Sequence, residues 1–167
     1  MKRLIMVVTM FLGIAGMSFA QTSATVNVTA TVISALTITS TASLAMGNIP
    51  QNSTKQVLAT SGSAAQLTVT GNAGSTFMIS WNTAVTLTDV SGLNPISFTP
   101  SLYGSNVGAG TGGGALGTST GTQGILSGTG EYYISVGGGL NPGSAPSGSY
   151  STANTSGAPL TVTVAYN

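Results

Sequence analysis

Cysteine and histidine are both missing from this chain of 167 residues, and five side chains carry all of its charge: three Lys or Arg and two Asp or Glu. Without cysteine, neither disulfides nor thiol chemistry can hold the chain together. Without histidine, a Ser-His-Asp triad, a histidine base and histidine metal ligands are excluded. Beyond residue 20 only Lys55, Asp89 and Glu131 are charged, for a net charge of −1. Ordinary domains carry about a quarter charged residues, so here Thr, Ser and Asn must supply the contact with water. A nucleic-acid-binding protein must neutralise several phosphates with Lys or Arg, and one lysine cannot. A net charge near zero instead favours association of copies with one another. One Asp and one Glu are too few for a calcium site, so no metal or cofactor is expected. Two carboxylates could serve a glycosidase. Nothing flanking Asp89 or Glu131 suggests a substrate cleft, and no enzyme is expected.

Long apolar runs are also scarce. Lys2 and Arg3 precede an apolar stretch from Leu4 to Gly16, followed by Ser18, Phe19 and Ala20. The stretch is shorter than the roughly 20 residues that span a bilayer. A positive start, an apolar centre and a small-x-small end describe a secretory signal over residues 1–20, cleaved between Ala20 and Gln21. The product is expected to be secreted, with no membrane span after cleavage.

What is abundant is β pattern. Ala24, Val26, Val28, Ala30 and Val32, then Leu36 and Ile38, occupy even positions, with Thr25, Asn27, Thr29, Thr31 and Thr37 between them. Alternation of this kind gives a ribbon with one apolar and one hydroxyl-rich face. At roughly 3.3 Å per residue it would reach about 50 Å, too long for one strand of a small domain. The phase breaks at Ile33, Ser34 and Ala35. The ribbon therefore divides into an amino-terminal extension over residues 21–32 and a domain strand, the domain itself spanning 33–167.

Further strands are predicted at Leu44–Ile49, Lys55–Thr60, Gln66–Thr70, Thr76–Trp81, Ala84–Thr88, Pro95–Thr99 and Glu131–Val136. Gly71, Asn72, Ala73 and Gly74 suit a hairpin turn. Sixteen of the 24 glycines fall between Gly104 and Gly148, which predicts a long Gly-rich surface loop over about 104–130 and a pause at Gly137, Gly138 and Gly139. Gly108-Ala109-Gly110-Thr111-Gly112-Gly113 matches G-x-G-x-x-G by letter but lacks the strand-before, helix-after context of a dinucleotide site. Trp81, Tyr132, Tyr133 and Tyr150 are expected to pack in the core or on the sheets rather than to line a sugar site. The chain ends in a second alternation, Leu160, Val162, Val164 and Tyr166. No 3.6-residue apolar period appears, so the chain reads as an all-β, antiparallel β-sandwich.

The order Leu44-Ala45-Met46-Gly47-Asn48-Ile49, Leu67-Thr68-Val69-Thr70-Gly71, Phe77-Met78-Ile79, Tyr133-Ile134-Ser135-Val136-Gly137-Gly138-Gly139-Leu140, Gly148-Ser149-Tyr150-Ser151 and Val162-Thr163-Val164-Ala165-Tyr166-Asn167 resembles a secreted bacterial domain family of unknown function. That family is itself similar to chaperone-usher pilins and spore-coat-U-type proteins, which end in a strand with tyrosine next to last, as Tyr166 is here. Type IV pilins are not a match, because their apolar segment stays in the mature filament.

The resemblance implies an immunoglobulin-like, pilin-like sandwich short of one strand, with the gap filled by the amino-terminal extension of another copy. On that basis Ala24, Val26, Val28, Ala30 and Val32 form the expected donor face. The chain is then a structural subunit of a pilus-like extracellular filament or surface coat. Its partners are copies of itself, with an export chaperone and an outer-membrane assembly protein possible on the way through the periplasm. The alternative expectation is a monomeric secreted adhesion or carbohydrate-binding module.

Overall fold

The computed structural model describes residues 23–117 and 119–167. The signal segment, with its cleavage point between Ala20 and Gln21, lies outside the described residues. The chain divides into two units, Met1–Val32 and Ile33–Asn167. In the first, residues 23–32 form no strand, and Val26, Val28 and Val32 are exposed at 84%, 89% and 95%.

The second unit is an all-β sandwich of antiparallel sheets, with no helix among the described residues. Its strands are β1 (Thr37–Ala42), β2 (Lys55–Val57), β3 (Ala65–Thr70), β4 (Thr76–Trp81), β5 (Val85–Leu87), β6 (Ile96–Ser105), β7 (Gly114–Leu116), β8 (Thr122–Ile125), β9 (Glu131–Leu140) and β10 (Val162–Tyr166). The larger sheet runs β1-β3-β9-β6-β5, with β2 also on β9 and β7 on β6; the smaller runs β10-β4-β8. β9 is the spine of the larger sheet. Glu131–Val136 pair with β3, the far end of β9 pairs with β2, and β6 follows the other edge from Phe98↔Leu140 to Ser105↔Tyr133.

The alternation seen in the sequence decides which face is buried. Leu67 and Val69 on β3, Tyr132, Ile134 and Val136 on β9, and Leu102 on β6 point inward and meet Phe77 and Ile79 of β4. Phe77, Ile79, Ile134 and Val69 are fully buried, and Phe77 meets the Tyr132 ring edge-on at 5.2 Å. Burial pushes the Tyr132 hydroxyl pKa up. Trp81 follows Phe77 and Ile79 on the same face and is half-buried against this core. A second cluster, Val85, Ile96, Phe98 and Leu140, occupies the other end of the larger sheet.

Several expectations are corrected. The even phase of the opening ribbon persists through Leu36 and Ile38, which pack on the core, but strand structure begins only at Thr37, where the ladder with Thr70 starts. Leu44–Ile49 is not a strand; Leu44, Met46 and Ile49 lean on the second cluster without a ladder partner. β2 stops at Val57 because the chain then crosses the outer side of Gly137, so closely that a Cβ there would collide with the Val57 carbonyl. Gly71–Gly74 is no hairpin: β3 and β4 lie in different sheets, and the turn carries the chain between them.

The stretch Gly108–Gly130 is not a bare loop either. It contributes β7 and β8, and Leu126 is buried. Glycine serves there as a spacer: Gly124 lies against the Phe77 ring, where a side chain would not fit. Gly137, Gly138 and Gly139 do not interrupt β9, which runs unbroken to Leu140. The Phe98 ring lies over Gly138, an approach only a residue without Cβ permits. Gly108–Gly113 forms a tight turn closed by the Thr111 amide on the Gly108 carbonyl, not the start of a helix.

Candidate functional site: an apolar groove beside unpaired strand edges

The smaller sheet covers only part of the larger one. The rest of the inner face, from Ile38 and Leu67 across Val136 and Leu140 to Phe98, floors a groove of about 1240 Å³. Pockets for small ligands usually run about 300–1,000 Å³, so the groove exceeds the usual size of a small-ligand site.

Each sheet presents a strand edge to it. Ile38, Ser40 and Ala42 line it from β1, and Val162, with Leu160 just before the strand, lines it from β10. Among the described residues, no strand pairs with the outer edge of either β1 or β10. Rows of N–H and C=O groups along such an edge are a template for another extended chain. The sequence singled out Leu160, Val162, Val164 and Tyr166. Val162, Val164 and Tyr166 belong to β10 and alternate half-buried with exposed Thr163 and Ala165, whereas Leu160 precedes the strand.

Two lips narrow the groove. One is 43–51, whose Leu44, Met46 and Ile49 face the second cluster; the other is 142–152, with Ala145 and Tyr150. They are tied to each other. The Gln51 side-chain amide donates to the Ala145 carbonyl at 2.7 Å, and the Asn52 amide donates to the Gly143 carbonyl at 2.7 Å. The second lip is also anchored beyond β5. Buried Thr88 exchanges backbone hydrogen bonds with Ser151, and its hydroxyl donates to the Thr155 carbonyl at 2.8 Å. The lips are therefore built structure, not slack loop. Nothing in the sequence linked residues 43–51 to 142–152, because the contact joins segments about a hundred residues apart.

Polar chemistry lies elsewhere. The Asp89 carboxylate is consumed by its own loop: it accepts the Ser91 amide at 3.1 Å and hydroxyl at 2.7 Å, the Leu93 amide at 2.9 Å and the Asn94 side chain at 2.9 Å. These bonds, Ser91's first, hold its pKa below the usual 3.8. Glu131 accepts the Tyr133 hydroxyl at 3.0 Å and that of Thr129 at 3.4 Å. Among the described residues no group of three acidic or other metal-ligating side chains comes together. Of the aromatics, Tyr132 is core, Trp81 and Tyr150 are half-buried beside the two clusters, and Tyr133 stands on the outer face of the larger sheet.

Ala24, Val26, Val28, Ala30 and Val32, the face expected from the sequence to act as a donor, are all exposed. The chain matches no protein-family model and no curated protein sequence.

Proposed function

We propose that this chain is a structural subunit of an extracellular filament or surface coat, assembled by one copy laying residues 24–32 into the groove of the next. The observation that carries this reading is the coincidence of an apolar groove with the unpaired edges of β1 and β10. An extended segment from a neighbour can satisfy both needs at once: its backbone completes a ladder while alternate side chains enter the groove. Ala24, Val26, Val28, Ala30 and Val32 supply that alternation, and their present exposure leaves apolar area to be gained on docking. At about 25 cal/mol per Å², burying these small side chains contributes on the order of several kcal/mol per junction before the ladder is counted. Export through the periplasm, with a chaperone shielding the groove, belongs to the same proposal.

The test is deletion of Thr22–Thr31 from the exported chain, followed by electron microscopy of shed material and size-exclusion chromatography. Monomers or disordered aggregate are expected. Filaments of normal length from the deleted chain would overturn the reading.

A further inference from the structure

Residues 24–32, laid out as a strand at roughly 3.3 Å per residue, reach about 30 Å. The free edges that would receive them are shorter, six residues in β1 and five in β10, or about 17–20 Å at the same rise. The excess has one direction open to it. The groove stops at Ile38 and Val162, and beyond them Leu36, Val164 and Tyr166 are packed on the main core. That end is also fastened, because the Tyr166 hydroxyl holds both the Ser34 carbonyl and the Asn72 amide. The excess therefore runs toward the lips, over the second cluster of Val85, Ile96, Phe98 and Leu140. This floor is already taken: Leu44, Met46 and Ile49 of the subunit's own 43–51 segment pack on it.

The two lips are not equally fixed. Segment 142–152 is fastened beside β5, where Thr88 and Ser151 exchange backbone bonds at 2.9 and 3.1 Å, and just past it the Asn154 side chain donates to the Thr88 carbonyl at 2.6 Å. Segment 43–51 has no such anchor. Its Leu44 and Met46 keep the even phase of Ile38 in β1, yet they are half-buried, Ala45 between them is exposed, and no strand includes them. Its hold on the other lip is the pair of bonds from Gln51 and Asn52. Two backbone angles keep it off a strand path, φ of 67° at Gly47 and 57° at Asn52, both in the left-handed region that strands do not use. Gly47 has open space where a Cβ would stand, so the bend there is not forced by crowding. Segments with few buried apolar contacts open at low cost.

We infer that residues 43–51 are a gate on the groove, an inference that rests on the filament reading. In the free subunit the segment covers the second cluster with its own Leu44, Met46 and Ile49. When residues 24–32 of the next copy dock, those three side chains leave the floor, the ties from Gln51 and Asn52 break, and the incoming apolar side chains take their place. Segment 142–152 stays where it is. A ligand whose receptor is mostly closed binds with its affinity reduced by the open fraction, so the gate rejects extended peptides that match the groove poorly. A strand long enough and apolar enough to fill the whole floor offsets the cost of opening.

The test is self-assembly of the full exported chain, followed by light scattering and electron microscopy, with hydrogen exchange measured on the free subunit and on filaments. Exchange over 43–52, the Asn52 amide included, should rise roughly tenfold or more in filaments, while 142–152 stays as protected as before. Gln51→Ala removes one tie and Gly47→Ala strains the closed path, and each should speed assembly roughly threefold to tenfold. Gly74→Ala is the control. It carries the same left-handed strain, at a φ of 71° with open space around it and outside the groove lining, and should not speed assembly. Gln51 is exposed, so Gln51→Ala keeps the test decisive if Gly47→Ala does not fold. Unchanged exchange over 43–52, or assembly no faster in Gln51→Ala, with parent filaments forming normally, overturns the gate and leaves the filament reading standing. A parent chain that forms no filaments overturns both.

Discussion

Tyr166 donates its hydroxyl proton to the Ser34 carbonyl at 2.9 Å, across 132 positions of sequence. The same oxygen accepts the Asn72 amide proton at 2.7 Å. One side chain at the end of β10 thus joins the point where the chain enters the domain to the turn that carries it from one sheet to the other. An added Cβ on Gly71 would collide with that hydroxyl, so the turn is shaped around it.

Tyr166→Phe keeps the ring and removes both hydrogen bonds, leaving the Asn72 amide without its partner. A half-buried amide left unpaired costs about 1–3 kcal/mol. An unfolding free energy lowered by that much in urea denaturation is expected, with faster amide exchange at Asn72. A variant as stable as the parent would mean that water replaces the hydroxyl at no cost.

Gly137→Ala should be worse than its single methyl suggests. The added carbon meets the backbone of Val57, Leu58 and Ala59, which cannot rotate away as a side chain can. Overpacking of this kind costs about 1–3 kcal/mol, and thermal unfolding of the purified variant measures it. Gly114→Ala, at an open position in β7, is the control and should be near neutral.

Ile79→Ala removes a fully buried side chain from the centre of the main core. Truncations of this type cost about 2–5 kcal/mol, and chemical denaturation should show a loss in that range. Val162→Arg, by contrast, places a charge at the wall of the groove on a half-buried strand position. It should yield a folded monomer that does not assemble, read by circular dichroism together with sedimentation.

The Asp89 loop should respond to acid. Its folded-state pKa lies below 3.8 because Ser91, Asn94 and Leu93 bond the ionised form. A depressed carboxylate contributes stability that is present above the unfolded pKa and is lost as pH falls through the folded one. The loop should therefore stay ordered at neutral pH and loosen only below about pH 4. Amide chemical shifts of Ser91 and Leu93 followed on acidification report it, and Asp89→Asn should remove the transition.

Much of the fold was legible in the residues themselves, and the reason is local. Phe77, Ile79 and Trp81 at odd positions mark Thr76–Trp81, whose limits match β4, and the terminal alternation predicted β10 with Leu160 as a short overrun. The scarcity of charge and the lack of histidine and cysteine remove whole classes of chemistry by composition alone. What the residues could not announce was the use of glycine. A glycine run looks alike whether it forms a loop or lets neighbouring backbone and rings approach a strand, and Gly124, Gly137 and Gly138 do the second.

The groove was hidden for a related reason. Its floor comes from one sheet, a wall from the other and its lips from segments about a hundred residues apart, and no short window of sequence contains that relation. Alternation determined which side of each strand is apolar, because side-chain direction follows from the backbone of a single strand. Only the tertiary structure decided which apolar sides meet and which strand edges go unpaired, because those depend on register and connection between strands far apart in the chain.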